Sequence, residues 1–428
     1  MSHPHQDPAD SRAAFRYPNF RYHQAARFLG IVAVEMQSVA LGWQVYEITR
    51  RPLDLGLVGL IQFLPGILLF PWTGHAADRF PRRSILLLCL AGFALCSLLF
   101  FGLAWTGPAS VRPIYMVLVL FGLVRAFYGP AGQAFLPLLV PAEHFPNAVA
   151  WTSSIFQAGT ILGPSLGGLI YGWAGGPHAV YAASAAGLAA AAACIAAIRL
   201  TKAPAPPEPT GREPLLAGLA YLWERKTILG AVSLDLFAVL LGGAAALLPV
   251  YARDILHTGP WGLGLLRSAP GVGAVLTAVA LAHRPLGRRA GAVMLLCVCG
   301  FGLFTIVFGL SRSLPLSLAA LLLAGACDMV SIVVRGTIVQ LQTPDRMRGR
   351  VSAVNMVFIG ASNELGQFES GLTAQWFGTV PAVVLGGAGT LLVVALWSRL
   401  FPELRRASLA ADPADSPAQC PATAGVAG

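Results

Sequence analysis

Residues 56–106 read GLVGLIQFLPGILLFPWTGHAADRFPRRSILLLCLAGFALCSLLFFGLAWT. Two apolar runs, 56–77 and 84–106, flank a break, Asp78-Arg79-Phe80-Pro81-Arg82-Arg83, that holds most of the charge of the stretch. Each run has the roughly 20 residues that a helix needs to cross the hydrocarbon of a bilayer. The second run has no polar stripe, so no face of such a helix prefers water. The whole chain follows suit. Of its 428 residues 56% are hydrophobic and 11% are charged, with a mean hydropathy of +0.68. A soluble domain carries about 25% charged residues, so this chain has too little polar surface to coat a soluble globule. Lipid is the solvent that fits. The net charge of +10 then needs no nucleic-acid partner, because an excess of Arg is also the signal that orients membrane helices.

Outward from this stretch, spans of crossing length recur at 24–48, 56–77, 84–106, 113–136, 146–173 and 178–198. A second series follows at 227–250, 260–282, 290–311, 314–336, 351–377 and 379–400. The expected fold is therefore an all-α membrane protein with twelve transmembrane helices. Its parts are an N-terminal segment 1–23, a six-helix bundle 24–198, a linker 199–226, a second six-helix bundle 227–400 and a disordered tail 401–428. The linker is rich in proline (Pro204, Pro206, Pro207, Pro209). Within it Pro214 opens a short helix with Leu215, Leu219 and Leu222 on one face and Trp223 beside them, a pattern suited to the membrane surface. The polar N-terminus lacks the apolar core and cleavage site of a secretory signal.

Arg and Lys fall unequally on the two sides. One side collects Arg12, Arg16, Arg21, Arg27, the Arg79–Arg83 loop, the linker and the C-terminal Arg405 and Arg406. The other holds Arg50, Arg51, Arg112, Arg253 and Arg312. The positive-inside rule places both termini in the cytoplasm. The two halves also look like copies. A shift of 203 residues sets Arg125 on Asp328, Pro141 on Pro344, Ala150 on Ala353 and Gly163 on Gly366 without gaps. Parallel repeats of this kind are a transporter architecture.

Three motifs lie in order on these spans. The loop after span two reads Gly74-His-Ala-Ala-Asp78-Arg79-Phe-Pro-Arg82-Arg83. Span four carries Arg125-Ala-Phe-Tyr-Gly129, and span five carries Gly159-Thr-Ile-Leu-Gly163-Pro164-Ser-Leu-Gly167-Gly168. Small residues at this spacing allow close helix approach, and Pro164 kinks the span. Together the motifs resemble those of the major facilitator superfamily, with Pro81 where the family has Gly. The span-five pattern is similar to that of its exporters. Asn19-Phe20-Arg21, the Gln340–Ser352 stretch around Pro344-Asp345 and Gly349-Arg350, and Ser362-Asn363-Glu364-Leu-Gly366 resemble its enterobactin-exporter and drug-efflux-like branch.

The resemblance implies the major facilitator fold and a monomeric secondary transporter in the cell inner membrane. It implies export of siderophore-like or amphipathic drug-like small molecules, driven by protons, with no cofactor. It also implies gating roles for Gly74, Asp78, Arg79, Arg82, Arg83, Gly129, Gly159, Gly163, Pro164, Gly167 and Gly168. Asp78 and the neighbouring Arg side chains would form a latch between bundles.

Charges inside the spans stand out independently of any family, because they are costly in lipid and default to functional candidates. Glu35 lies in span one, Arg125 in span four, Asp235 in span seven and Asp328 in span ten. The expected arrangement pairs Glu35 with Arg125 and leaves Asp235 and Asp328 without an obvious cation, apart from Arg267 and Arg335 nearer the span ends. Desolvation would then raise the affinity of such carboxylates for protons. Span eleven adds Asn363, Glu364 and Gln367, with Asn363, Gln367 and Ser370 on one face and Glu369 away from it. Trp43, Gln44, Phe63, Phe127 and Tyr128 are candidates for the cargo wall.

Other classes fit poorly. The only lysines, Lys202 and Lys226, belong to no phosphate-cradling loop. No His or Cys stands at metal- or haem-ligand spacing, which argues against a membrane-embedded enzyme. Cys297 and Cys299 point to different helix faces and read as packing. A non-transporting receptor would not need the intramembrane charges. An uptake symporter is the alternative within transport.

Overall fold

The computed structural model describes residues 12–107, 110–199, 219–284 and 289–406, and the chain there is helical. In the first half α1 is Pro18–Thr49, α2 Pro52–Arg79, α3 Arg82–Thr106, α4 Arg112–Phe135, α5 Phe145–Ala174 and α6 Pro177–Ala197. In the second half α7 is Lys226–Gly242, α8 Gly259–His283, α9 Ala290–Leu310, α10 Leu314–Gln342, α11 Asp345–Phe377 and α12 Thr379–Leu400. Proline in the first turn opens α1, α4, α5, α6, α8 and α10, where its missing N–H costs no helical bond. Gly107 (φ 61°) and Gly175 (φ 69°) close α3 and α5 in the left-handed region, which a side chain would strain.

Among the described residues ten helices combine the length and composition needed to cross a membrane, and the chain is a multi-pass membrane protein. The helices beyond those ten are α5 and α11. Their 30 and 33 residues are long enough, but both are diluted by Gly, Ser, Asn and Gln. Both lie on seams between bundles, where small and polar residues replace the lipid-facing Leu and Val.

In the first bundle α1 packs on α5 and α6, α3 on α4 and α6, and α2 on α4. In the second, α8 packs on α10, α9 on α10 and α12, and α7 on α11 and α12. Two seams join them, α5 with α8 and α2 with α11. The end that holds the start of α1 and the finish of α12 is called the terminal end here, and the opposite end the far end.

Span seven does not stop at 250. After Gly242 it continues as a 3-10 turn, Ala244–Leu247, and one helical turn, then finishes as a π-helix, Tyr251–Ile255, at the far end. The wider turn sets Arg253 and Asp254 toward α1. In the linker, residues 219–224 are helical, with Leu222 buried and Trp223 exposed. The Tyr221 hydroxyl donates to the Gln342 carbonyl at 2.9 Å. Pro214 and Leu215 lie outside the described residues.

The seams are tight at the far end. A Cβ on Gly168 would sit 2.6 Å from the Pro260 carbonyl oxygen, and one on Gly264 2.6 Å from that of Pro164. A Cβ on Gly56 would sit 2.9 Å from the Gln367 carbonyl oxygen, and one on Gly371 2.9 Å from that of Pro52. Toward the terminal end, Gly129 and Gly132 of α4 and Gly336 of α10 face open space. The backbone-to-backbone approaches that glycine permits between the bundles thus cluster at the far end.

Candidate functional site

A cavity of 390 Å³ lies between the bundles, walled by α1 to α6 of the first bundle and by α8, α11 and the segment after α7 of the second. Its polar wall is Glu35 and Ser38 of α1, Gln62 of α2, Arg125 of α4, Arg267 of α8, and Glu364 and Gln367 of α11. Phe93, Phe121, Tyr128 and Phe156 supply an aromatic remainder. A pocket with a few polar groups on a mostly apolar lining is the usual form of a small-molecule site.

The strongest bond in it crosses between bundles. Arg125 Nη1 lies 2.9 Å from Glu364 Oε1, and Gln367 Nε2 donates to the other oxygen, Oε2, at 3.3 Å. Gly59 of α2 makes room for this carboxylate, since a Cβ there would lie 3.1 Å from Glu364 Oε2. The expected pair of Glu35 with Arg125 is therefore corrected. α11 lies along α2 and delivers Glu364 to Arg125 from the other half of the chain. Glu35 faces the same cavity but makes no hydrogen bond or ion pair among the described residues. Arg267, in turn, donates to Ser38 Oγ.

Asp235 also has a cation that the sequence reading left unassigned. Arg335 Nη1 lies 3.2 Å from Asp235 Oδ2, with both side chains buried. The guanidinium donates as well to Asn355 Oδ1 at 3.0 Å. Arg335 is not near a span end, because α10 runs on to Gln342. Neither Asp235 nor Asp328 lines the cavity.

Span eleven divides differently from its helical-wheel face. Gln367 lines the cavity with Glu364. Asn363 is exposed and donates to the Ile359 carbonyl of its own helix at 2.8 Å, so it does not join them. Ser370 donates to the Gly243 carbonyl at 2.7 Å, which ties α11 to the break in span seven. Glu369 accepts from Thr373 Oγ1 at 2.7 Å. Of the aromatic candidates, Tyr128 lines the cavity, whereas Phe63 and Phe127 do not. Trp43 lies under Arg253, 5.4 Å from guanidinium carbon to ring centroid. Gln44 is buried and accepts from the Tyr181 hydroxyl at 2.7 Å.

The motif residues fall into two structural groups. In span five Gly159, Gly163 and Gly167 face α1: added Cβ atoms would lie 2.5 Å from Ile31 Cγ2, 2.5 Å from Glu35 Cβ and 2.7 Å from the Met36 carbonyl oxygen. Gly163 is thus the residue that lets the Glu35-bearing turn approach. Gly168 and the Pro164 carbonyl instead meet α8 of the other bundle. In the loop motif, Arg82 donates to the Ala134 carbonyl at 3.2 Å, and Arg83 to the Ile195 and Ala196 carbonyls at 3.2 and 2.5 Å. These carbonyls lie in the last turns of α4 and α6, where a cation is favoured. Both arginines therefore work within the first bundle rather than across to the second. Arg79 is exposed. The Gly74 and Asp78 side chains, and with them the acid of the proposed latch, lie outside the described residues.

A set of charges that sequence reading missed closes the far end. Glu47 of α1 and Arg50, the residue that caps it, face Arg253 and Asp254 of the π-helix, Glu47 to Arg253 at 3.3 Å and Arg50 to Asp254 at 3.6 Å. Tyr171 donates to Glu47 at 3.2 Å, and Tyr46 donates to Asp254. Each side carries one residue of each sign, three positions apart in one case and adjacent in the other, so the contact is self-complementary. Since Glu47 is 47% exposed, each pair contributes only about 0.2–1 kcal/mol. Glu47→Arg is expected to raise thiol-reagent access to the far end by a few-fold, and adding Arg253→Glu to reverse it. Equal access in the single and double variants would show that the pair does not hold the end shut.

The signal that could have found this set was present in the sequence. Arg253 and Asp254 stand just past an apolar span on the side poor in Arg, and Glu47 and Arg50 stand at the matching end of span one.

The geometry is that of a two-bundle transporter with a central cavity, and comparison with known proteins agrees. The chain is 29% identical to the enterobactin exporter EntS of Shigella boydii serotype 4 over 399 residues, covering 91% of this chain and 93% of that one. The enterobactin exporter EntS of Citrobacter koseri gives the same figures. Among solved structures, a bacterial homologue of the human lysosomal transporter Spinster, inward-facing and unoccupied, superposes with a TM-score of 0.71 at 15% identity, over 91% of this chain and 99% of that one. A POT family transporter in complex with a thioalcohol-conjugated peptide gives 0.72 at 11% identity, over 90% and 96%. The family described as transmembrane secretion effector matches residues 9–422. The chain belongs to that family, a branch of the major facilitator superfamily, and is a transporter rather than an enzyme.

Proposed function

We propose that this chain is a proton-driven exporter, an antiporter that moves siderophore-like or amphipathic drug-like molecules out of the cytoplasm by alternating access. In this reading it resides in the cell inner membrane, α5 and α11 complete twelve crossings, and both termini are cytoplasmic. The observation that carries it is the cavity between bundles, with the Arg125–Glu364 bridge across its middle. The far end is held by glycine seams and ion pairs, and in this reading the end rich in Arg is the open one. The positive-inside rule makes that open end cytoplasmic, so the cavity faces the side from which an exporter loads. Similarity to the enterobactin exporters supports cargo of that kind. Arg125, Arg267, Glu35 and Glu364 give the cargo's polar groups partners of both signs, and Phe93, Phe121 and Tyr128 take its aromatic body.

Cargo entering the cavity competes for Arg125 with Glu364, and for the unpaired Glu35. Breaking the Arg125–Glu364 bridge on loading frees the bundles to rock, while protons returning down their gradient reset the cycle. Arg125→Gln and Glu364→Gln each remove a charge-assisted bond of roughly 1.5–3 kcal/mol. Each is expected to lower transport about 10-fold or more when normalised to folded protein.

The experiment is an accumulation screen of enterobactin and amphipathic dyes in a strain lacking its own efflux pumps. Expression of the chain should lower accumulation, and a protonophore should abolish the effect. Raised accumulation on expression would instead mark an uptake symporter.

A further inference from the structure

The second bundle encloses a group of charges apart from the cavity. Asp235 of α7 pairs with Arg335 of α10, their side chains 7% and 4% exposed. Arg335 also holds Asn355 of α11. Asp328 lies seven residues before Arg335 on the same face of α10, and it feels the charges of both Asp235 and Arg335. Among the described residues it has no hydrogen bond or ion pair. Ser331 sits between them on that face, only 1% exposed, and its hydroxyl has no partner; nor has Arg335 Nε. Cys327, the neighbour of Asp328, faces α9, where a Cβ on Gly300 would lie 2.9 Å from its sulfur. Other charges on the packed helices point away: Arg267 of α8 faces the cavity, and Arg399 of α12 is exposed.

Counting charge decides what this group needs. Two carboxylates against one guanidinium leave one net negative charge in a medium where an uncompensated ion costs several kcal/mol. One bound proton makes the group neutral and gives the idle Ser331 hydroxyl and the second carboxyl a donor and an acceptor to match. We propose that Asp235 and Asp328 form a proton-binding site around Arg335, separate from the cargo cavity, and that α11 passes its occupancy to that cavity. The inference rests on the exporter reading above.

The linkage runs along one rigid element. Asn355, bound to Arg335, and Glu364, bound to Arg125, lie nine residues apart on α11, about 13.5 Å at 1.5 Å per residue. Loss of the proton leaves both carboxylates competing for Arg335. The guanidinium is then drawn off Asn355, and α11 is released. The proton leaves from carboxyl oxygen to water, and no other bond changes.

Two measurements on the full-length protein in lipid nanodiscs and proteoliposomes test this. Infrared difference spectra at neutral pH should show a protonated-carboxyl stretch that shifts in D₂O. The band should disappear in Asp235→Asn/Asp328→Asn and persist in Glu35→Gln. Its survival in the double variant, or its loss in Glu35→Gln, would overturn the assignment. In proteoliposomes carrying enterobactin, Asp328→Asn should keep cargo exchange at equal pH but lose about tenfold in gradient-driven accumulation. Asn355→Leu should keep the infrared band and lose driven accumulation too. Undiminished driven transport in Asp328→Asn, or loss of exchange along with it, would contradict a separate coupling site. Failure of the exporter reading itself shows differently, as a wild-type protein that moves no cargo while the infrared band still reports the proton.

Discussion

Arg335→Met is expected to be the most destabilising single substitution in the transporter. It leaves Asp235 buried beside Asp328 with no cation, and removing one partner of a buried pair costs about 3–5 kcal/mol. A second estimate agrees. Rather than stay ionised, the stranded carboxyl takes up a proton, and moving a group with an ordinary pKa of about 3.9 to its neutral form at pH 7 costs roughly 4 kcal/mol at 1.36 kcal/mol per unit. The sign of the pH dependence follows. The folded variant holds a proton that the unfolded chain releases above that pKa, so its stability is present in acid and falls as pH rises. Thermal unfolding in detergent should therefore show Arg335→Met far below wild type at pH 7 and closer to it at pH 5. Asp235→Asn added to Arg335→Met should recover most of the loss. A midpoint deficit that ignores pH and is not rescued would assign the cost to lost packing instead.

The second large effect concerns motion rather than folding. Gly168→Val places its Cβ 2.6 Å from the Pro260 carbonyl oxygen of the other bundle. Backbone on both sides leaves nothing flexible to yield, and overpacking of this kind costs about 1–3 kcal/mol or more. That cost falls only on the conformation in which α5 and α8 touch at the far end. A bias of 3 kcal/mol moves a two-state equilibrium by roughly 150-fold, so net export should nearly vanish while the protein still folds. Spin labels at Thr106 and Ser313, in the far-end parts of the two bundles, should report longer distances. Gly163→Val is the contrasting case. Its Cβ would meet Glu35 Cβ at 2.5 Å inside one bundle, so yield and unfolding temperature should fall instead. One ten-residue motif thus separates into glycines that build the first bundle and a glycine that lets the bundles close. If both variants lose stability alike and the label distances do not change, the seam is not a state-specific contact.

How far the sequence reaches can be seen at particular residues. Some helix bounds are legible because punctuating Pro and Gly mark them locally, as at Pro177 and Gly175, whereas α1 and α11 each start six residues before the apolar run. α11 was legible as unusual through its Asn, Gln and Glu, and it does form a seam. What escaped was every contact between halves. Arg125 and Glu364 are separated by 239 positions, and no periodicity links them, so the nearer Glu35 looked like the partner. Arg335 was discounted because the span seemed to end at 336, whereas the helix continues to Gln342. The π-helical finish of span seven left no composition signal. Backbone hydrogen-bond choice there depends on packing against α1 and α8 rather than on residue type. Internal symmetry misled in one respect: Arg125 and Asp328 occupy matching positions, yet one faces the cavity and the other a closed cluster.

In the proposed function, protons drive export through a cavity that faces the cytoplasm. Inside-out vesicles bearing the protein measure this directly, with enterobactin added outside, the lumen acidified and luminal pH followed together with cargo. The prediction is uptake of cargo into the lumen against its gradient, with cargo-dependent luminal alkalinisation in step; a protonophore abolishes the uptake, and Arg125→Gln reduces both uptake and cargo-dependent alkalinisation about tenfold or more. Cargo uptake that ignores the protonophore, or movement only in the opposite direction, would contradict it.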